Sequence, residues 1–228
     1  MGKDLREKAD NVFKKLPLGE DKVGHSRAVC ECAEKIANNM KKKGVEVDLD
    51  VVYAAALLHD IGITKAPFKS EAEEEENPWP EHAVEGAKIA LQGGLPNSVA
   101  EAIQAHEQLG FNQTEMDELK LVAPAVGKTW GSDSTESKIV ATADQVVYIV
   151  RHMQLNVWND QNAILKANFS YVDTLYKKRT GKGVKRDHPV LIRMIERTRE
   201  ILPYIDPSEV PAPWKGISVL KPPPEPSQ

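Results

Sequence analysis

A histidine and an aspartate that follow an apolar run are the residues of this sequence with the clearest chemical potential. His59 and Asp60 come directly after Tyr53-Ala-Ala-Ala-Leu-Leu58 and continue into Ile61-Gly62. Burying a carboxylate beside an imidazole is costly unless another charge compensates it. A metal ion gives this compensation, because it binds the carboxylate oxygen and the neutral imidazole nitrogen together. The pair therefore predicts a metal site.

Further residues with the same chemistry recur along the chain. The complete set of candidate metal ligands is His25, His59, Asp60, His82, His106 and Asp144. Four histidines and two carboxylates are too many for one ion with an open position, but they suit two ions that share a bridging carboxylate. The set contains no sulfur, and its carboxylates favour harder ions. We expect two divalent ions, iron or manganese, with zinc, nickel and magnesium as alternatives.

Helices must position these ligands, because helical periodicity dominates and no alternating strand pattern is present. The sequence predicts an all-α helical bundle with irregular loops at 62–80 and 108–135. The predicted helices cover about Lys3–Leu16, Asp21–Gly44, Asp48–Asp60, Pro80–Gly94, Ser98–Glu107, Glu136–Trp158, Gln161–Lys178 and Pro189–Leu202. The expected caps include Asp48 or Asp50 for the third helix and Asp187 for the last.

A proline-rich segment follows the last predicted helix. Eight of the 26 residues from 203 to 228 are proline, which is typical of an extended chain. We therefore expect a helical domain at 1–202 and an extended tail at 203–228. Trp214 and Ile217–Leu220 of this tail offer apolar contacts to the domain or to a second subunit, so a homodimer is among the expected assemblies.

Composition excludes some functions. The net charge is −4, which gives no basic field for general nucleic-acid binding. No apolar stretch approaches the roughly 20 residues that span a bilayer, and the charged start lacks a signal-peptide core. These features predict a cytoplasmic protein without a membrane partner. Cys30 and Cys32 stand two apart on a predicted helix, where side chains diverge, so we expect buried or half-buried structural thiols.

Several segments around the candidate ligands resemble the sequence blocks of one known family. They are Gly24-His25-Ser26-Arg27, Ala56-Leu-Leu-His-Asp60 with Ile61-Gly62, Glu81-His82-Ala83, Ala105-His106-Glu107 and Ala143-Asp144. In order and placement they resemble the HD-domain metal-dependent phosphohydrolase superfamily, in its HDIG type, over residues 20–152. Single-metal members lack the two middle histidines, so the resemblance points to the binuclear branch.

The resemblance implies a role for each candidate ligand. His25, His59, Asp60 and Asp144 would hold a first ion, and His82 and His106 would add a second ion bridged by Asp60. Two ions about 3.5–4 Å apart can deprotonate a bridging water and clamp a phosphoryl oxygen. The expected activity is hydrolysis of a phosphate ester or anhydride by a metal-bridged hydroxide. A small phosphorylated or anionic compound, including a nucleotide-like one, is the expected substrate.

Cationic residues near the blocks are candidates for binding that substrate. Lys65 lies five residues after Asp60, whereas related binuclear proteins often place a lysine four after the aspartate, where this chain has Thr64. Asp60 and Lys65 are the expected catalytic residues. Arg27, Lys65 and Arg151 are the expected contacts to a substrate phosphate.

Two other functions remain open at this point. The same six-ligand order resembles the mixed-valent di-iron branch of the superfamily, which cleaves C–C or C–P bonds with dioxygen. A regulatory module that binds metals without turnover is the second alternative, because the acidic run Glu71–Glu76 near the expected entrance would repel a polyanion.

Overall fold

The computed structural model describes residues 2–66, 79–107, 111–150 and 163–206. These residues form helices and connecting turns without a strand, which confirms the predicted all-α class. Two 3-10 turns lie at Ile61–Lys65 and Leu202–Tyr204. The α-helices of the described residues are α1 Gly2–Lys14, α2 Glu20–Lys42, α3 Leu49–Leu58, α4 Glu81–Gln92, α5 Asn97–Gln104, α6 Gln113–Leu119, α7 Thr135–Tyr148, α8 Ala163–Thr180 and α9 Pro189–Ile201.

Helix α3 is the central element because nearly all of its residues are apolar. Seven of its ten residues are buried, as expected for a helix without a polar face. It packs against α1, α2, α5 and α7. Asp48 caps α3 by accepting hydrogen bonds from the backbone N–H groups of Asp50 and Val51, which selects the first of the two predicted caps. The helix ends at Leu58, so His59 and Asp60 emerge directly from the core.

The 3-10 turn after α3 lies closely against α4. Gly62 permits this approach, because a Cβ atom there would collide with the backbone carbonyl of His82 and the backbone nitrogen of Gly86. A Cβ atom on Gly86 would in turn lie 3.1 Å from Cγ2 of Ile103 in α5. Two glycines therefore bring the end of α3, α4 and α5 together.

A second apolar cluster joins α6, α8 and α9. Its buried members are Val84, Phe111, Met116, Leu119, Trp130, Val172, Leu175, Tyr176, Val190, Leu191 and Met194. Arg179 near the end of α8 donates a 2.7 Å hydrogen bond to Glu81 Oε1. Glu81 is the first residue of α4 and only 5% exposed. This partly buried ion pair attaches α8 to the helix that carries His82.

One helix lies in a segment that the sequence predicted to be irregular. Helix α6 occupies part of 108–135, and a capping box begins it: Asn112 accepts from the backbone N–H of Glu115, and Glu115 accepts from that of Asn112. Seven residues are too few to display helical periodicity. The Asn-x-x-Glu pattern was the available signal.

Two other helix ends also differ from the prediction. Helix α5 ends at Gln104 instead of Glu107, so His106 and Glu107 lie in the turn that follows it. His188, and not Asp187, is the N-cap of α9, because its Nδ1 accepts from the backbone N–H of Val190. Helix α7 ends at Tyr148, and residues 151–158 of the predicted helix lie outside the described residues.

The remaining sequence-based expectations concern thiols, membranes and the tail. Cys30 and Cys32 are 5% and 2% exposed, which confirms buried thiols, and burial raises the pKa of Cys30 to about 12. None of the described helices is long and apolar enough to cross a membrane. The acidic run at 71–76 and the segment 207–228, with Trp214 and Ile217–Leu220, lie outside the described residues.

Candidate metal centre

The six candidate ligands of the sequence analysis converge on one place in the fold. They come from five different helices or helix ends, and all except the half-buried Asp144 are buried. The contributing residues are His25 from α2, His59 and Asp60 after α3, His82 from α4, His106 after α5 and Asp144 from α7. Helix packing around α3 thus joins residues that are far apart in the chain.

The first group of ligand atoms comes from α2, α3 and α7. Nε2 of His25 lies 3.2 Å from Nε2 of His59 and 3.0 Å from Oδ1 of Asp144. Nε2 of His59 lies 3.5 Å from the same Asp144 oxygen. Oδ2 of Asp60 lies 3.8 Å from His25 Nε2 and 3.6 Å from His59 Nε2. Two imidazole nitrogens and two carboxylate oxygens therefore surround one point.

The second group comes from α4 and the turn after α5. Nε2 of His82 lies 3.2 Å from Nε2 of His106. Oδ1 of Asp60 lies 3.5 Å from His82 Nε2 and 3.7 Å from His106 Nε2. Asp60 therefore directs Oδ2 to the first histidine pair and Oδ1 to the second, which is the arrangement of a bridging carboxylate.

Backbone carbonyls orient three of the four imidazole rings. Nδ1 donates to the carbonyl three residues earlier in each case: His59 to Ala56 at 2.8 Å, His82 to Trp79 at 2.8 Å and His106 to Ile103 at 2.7 Å. This bond places the ring proton on Nδ1, so that the neutral ring presents the Nε2 lone pair to the cluster.

The arrangement of the Nε2 lone pairs shows whether these residues can hold a metal ion. Two neutral imidazoles cannot hydrogen-bond to each other through Nε2 when both protons lie on Nδ1, as at His82 and His106. A cation between the nitrogens removes their repulsion. Donor atoms that each lie about 2.1 Å from one ion at a right angle are about 3.0 Å apart, close to the observed spacings. The donor set therefore fits two divalent ions.

Charges within the cluster shift the pKa values of two histidines upward. Burial alone lowers the pKa of an imidazole. At His59 the charge of Asp60 and the hydrogen bond with Asp144 outweigh burial and raise the pKa to about 9. At His82 the hydrogen bond with Glu107 and its charge raise the pKa to about 10. Without a metal, protons therefore occupy sites that metal ions can take.

The pKa values of His106, Asp60 and Asp144 are shifted downward. Burial and the positive charges of His59 and His82 lower the pKa of His106. Burial raises the pKa of a carboxyl, but the histidines beside Asp60 and Asp144 outweigh it and hold both pKa values below the ordinary range. Both carboxylates therefore stay ionised, as metal ligation requires.

The structure adds two charged residues that sequence reasoning did not select. Glu107 places Oε1 3.1 Å from Nε2 of His82, and Lys22 places Nζ 3.9 Å from Oδ2 of Asp60. The signal for Glu107 was its position directly after His106, which repeats the His59–Asp60 pair. Lys22 lies three residues before His25, one helical turn away and on the same face.

The predicted substrate-binding residues are less closely connected to the cluster. Arg27 is exposed on α2, two residues after His25, where a helix directs side chains to different sides. Lys65 is exposed in the 3-10 turn, where the Thr64 hydroxyl donates to the Ile61 carbonyl. Within the described residues, no ion pair joins Arg27 or Lys65 to the cluster. Arg151 lies outside the described residues.

Comparison with known proteins identifies the family. The family model named HD domain matches residues 23–149, which is more than half of the chain and includes all six candidate ligands. The chain therefore belongs to the HD-domain family, as its sequence blocks predicted.

The chain also matches curated relatives at modest identity. The chain is 31% identical over 195 residues to an uncharacterized protein of Methanocaldococcus jannaschii, a match that covers 86% of this chain and 95% of that protein. It is 30% identical over 139 residues to a tRNA (cytidine(56)-2'-O)-methyltransferase of Picrophilus torridus, covering 61% of this chain. That match spans 35% of the methyltransferase.

Among solved structures, the chain is similar to the HD domain of the L. monocytogenes phosphodiesterase PgpH. The identity is 18%, the TM-score is 0.45, and the match covers 87% of this chain and 97% of that domain. A structure of the same domain in complex with cyclic-di-AMP gives 17% identity and a TM-score of 0.43, over 87% of this chain and 95% of that chain. The family assignment rests on the sequence match.

Proposed function

We propose that this protein is a metal-dependent phosphohydrolase that uses two divalent ions to hydrolyse a phosphate ester or anhydride. The observation that carries the proposal is the division of Asp60 between two histidine pairs, with Oδ2 3.6 Å from His59 and Oδ1 3.5 Å from His82. A carboxylate in this position could be shared by two divalent ions, which would supply the positive charge that in-line displacement at phosphorus requires.

Each described ligand has a defined task in this proposal. His25, His59 and Asp144 hold the first ion, His82 and His106 hold the second, and Asp60 is shared. Two such ions supply Lewis acidity and lower the pKa of a water molecule toward neutrality. The protein keeps Asp60 and Asp144 ionised, and backbone carbonyls fix the directions of His59, His82 and His106 through their Nδ1 atoms. Iron and manganese suit the mixed nitrogen and oxygen donors.

The substrate is a small phosphorylated anion, and nucleotide-like compounds belong to the proposed class. Lys22 brings a positive charge to the edge of the cluster, 3.9 Å from Oδ2 of Asp60, where it can attract a phosphate oxygen. Lys65, Arg27 and Arg151 remain the sequence-based proposals for further phosphate contacts. Lys65 also remains the proposed catalytic partner of Asp60.

The test combines metal analysis with a substrate panel. Protein reconstituted with Mn²⁺, or anaerobically with Fe²⁺, is expected to hold two ions per chain. It should cleave one or more of nitrophenyl phosphates, nucleotides and cyclic dinucleotides, and a chelator should abolish the reaction. His82→Ala and His106→Ala should each remove one ion and lower activity at least about 100-fold. His188→Ala is the matched control, because His188 caps α9 outside the cluster.

Two results would contradict the proposal. If both the His82 and His106 variants keep two ions, the binuclear assignment is wrong. If the iron-loaded protein shows a mixed-valent magnetic signal and substrate-dependent oxygen uptake without hydrolysis, it is an oxygenase.

A further inference from the structure

Glu107 has no role in the two-metal arrangement described so far, although its carboxylate lies within the second group. The side chain is 22% exposed, and it follows the buried His106 in the turn after α5. Its Oε1 lies 3.1 Å from Nε2 of His82 and 3.8 Å from Nε2 of His106. These distances are similar to those within the first group, where Asp144 Oδ1 lies 3.0 Å from His25 Nε2 and 3.5 Å from His59 Nε2.

The positions of Glu107 and Asp144 are equivalent with respect to the histidines. Each carboxylate oxygen lies next to one pair of Nε2 atoms, and the nitrogens of each pair are 3.2 Å apart. Asp60 adds one oxygen to each group. The two groups therefore contain the same donors: two imidazoles, one carboxylate of their own and one oxygen of the shared carboxylate.

The chain builds both His–carboxylate pairs in the same way. His59-Asp60 follows the last residue of α3, and His106-Glu107 begins two residues after the end of α5. In both pairs Nδ1 of the histidine donates to the carbonyl three residues earlier. The next residue then directs its carboxylate toward Nε2 of neighbouring histidines. The two pairs therefore share the same backbone hydrogen bond, and each brings a carboxylate close to imidazole nitrogens.

We propose that Glu107 is a ligand of the second metal ion, equivalent to Asp144 at the first. This inference rests on the proposed two-metal function and adds a terminal carboxylate that the sequence blocks did not assign. Asp60, Asp144 and Glu107 together place three negative charges against two divalent cations. The two ions then have matched donor sets, so they bind with similar affinity, and neither is a weakly held accessory ion.

The competing explanation is that Glu107 only accepts a hydrogen bond from a protonated His82. The two explanations differ once metal is present. A ligand contributes to metal affinity at neutral pH, whereas a hydrogen-bond acceptor for the metal-free imidazolium loses its donor when the metal replaces the proton. Removing the carboxylate therefore weakens the second ion only in the first case.

Titration of the metal-free full-length protein with Mn²⁺ and with Co²⁺ tests the proposal without an activity assay. Wild-type protein should bind two ions with affinities within about tenfold of each other. Glu107→Gln should weaken one of the two ions at least about tenfold, and Glu107→Asp should lie between the wild type and the glutamine variant. In the Co²⁺ form, the visible absorption of the second ion should change because one oxygen donor is lost.

Matched variants identify which ion is affected. Glu101→Gln on α5 removes a carboxylate from the same part of the chain outside the cluster and should leave both affinities unchanged. In His82→Ala, which retains only the first ion, adding Glu107→Gln should change nothing further. A melting temperature and a circular dichroism spectrum for each variant confirm that it is folded, and Glu107→Asp replaces Glu107→Gln if that variant does not fold.

Three results would overturn the inference. In the first, folded Glu107→Gln and Glu107→Asp bind both ions with wild-type affinity, which leaves the two-metal phosphohydrolase intact and makes Glu107 a hydrogen-bond acceptor only. In the second, Glu107→Gln weakens the ion that His82→Ala retains. In the third, wild-type protein binds fewer than two ions, which also overturns the proposed function.

Discussion

In the candidate metal centre, protons and the proposed metal ions would compete for the same imidazole nitrogens. Three Nδ1 atoms donate hydrogen bonds to backbone carbonyls. In each of these rings, only Nε2 therefore remains to bind a proton or a metal ion. Carboxylates raise the pKa of His59 to about 9 and that of His82 to about 10. At neutral pH the metal-free site therefore holds protons, and metal binding must release them.

This competition predicts how stability depends on pH. A histidine with a raised folded-state pKa contributes stability that is fully present below about pH 6.5 and is lost as pH rises through the folded value. We expect the melting temperature of chelator-treated protein to fall between pH 7 and pH 10. Asp60 and Asp144 have lowered pKa values, so their contribution is present above about pH 4 and is lost under more acidic conditions.

Metal-loaded protein should behave differently over the same range. Bound ions replace the protons, so the increase in melting temperature on adding Mn²⁺ should grow from pH 6 to pH 9. His188→Ala should follow the wild-type curve, because that residue lies outside the cluster. A metal-induced increase that stays constant across this range would show that no proton is released from the site.

The sequence located six of the seven clustered ligand candidates for a clear physical reason. Histidine and aspartate are conspicuous on apolar helical segments, where an unpaired polar group is costly. Glu107 was not selected because glutamate is common on exposed helix ends, and the predicted helix continued to that residue. The structure ends α5 at Gln104, and the resulting turn carries Glu107 into the cluster.

At the scale of elements, the second histidine pair depends on close contact between the 3-10 turn and α4. Gly62→Ala should break this contact, because the added Cβ collides with backbone atoms of His82 and Gly86, which cannot move as a flexible side chain can. We expect a loss of at least about 3 kcal/mol in the free energy of unfolding, measured by urea denaturation. Since His82 supplies both the collision and a candidate ligand, the second ion should also bind more weakly.

A second glycine provides the control for this substitution. A Cβ atom on Gly19 meets nothing within 4 Å, and the φ of Gly19 is −66°, which any L-residue adopts. Gly19→Ala should therefore change the free energy of unfolding by no more than about 1 kcal/mol and leave metal binding unchanged. Equal losses in the two variants would mean that the Gly62 contact does not position α4.

Element boundaries were harder to predict than element types. Long amphipathic helices such as α2 have enough turns for a pattern to emerge. The seven-residue α6 does not, and it is held by its capping box and by tertiary burial of Met116 and Leu119. The Arg179–Glu81 ion pair could not be predicted from the sequence either, because its partners are 98 residues apart in the chain.

For the whole molecule, the candidate centre connects elements from α2 to α7. Ions that bind only the folded arrangement stabilise it in proportion to the logarithm of their concentration, by about 2.7 kcal/mol for each ion at 100 times its dissociation constant. Because the ligands come from across the chain, this stabilisation applies to the helical domain as a unit. The predicted boundary of that domain at residue 202 remains a prediction.

The described residues beyond 202 suggest how to test that boundary. Asn39 donates to the Tyr204 carbonyl at 3.2 Å, and Lys43 donates to the Pro203 carbonyl at 3.0 Å. The side chains of Tyr204 and Ile205 pack against the main apolar core.

A chain that ends after Asp206 should keep the wild-type melting temperature and metal content. A chain that ends after Leu202 should lose about 1–3 kcal/mol of stability, because these contacts with α2 and the core are removed. Differential scanning calorimetry of both truncations with bound Mn²⁺ measures the difference. Equal stability of the two shortened chains would place the boundary at 202. A loss of stability in the chain that ends after Asp206 would show that residues 207–228 contribute to the folded domain.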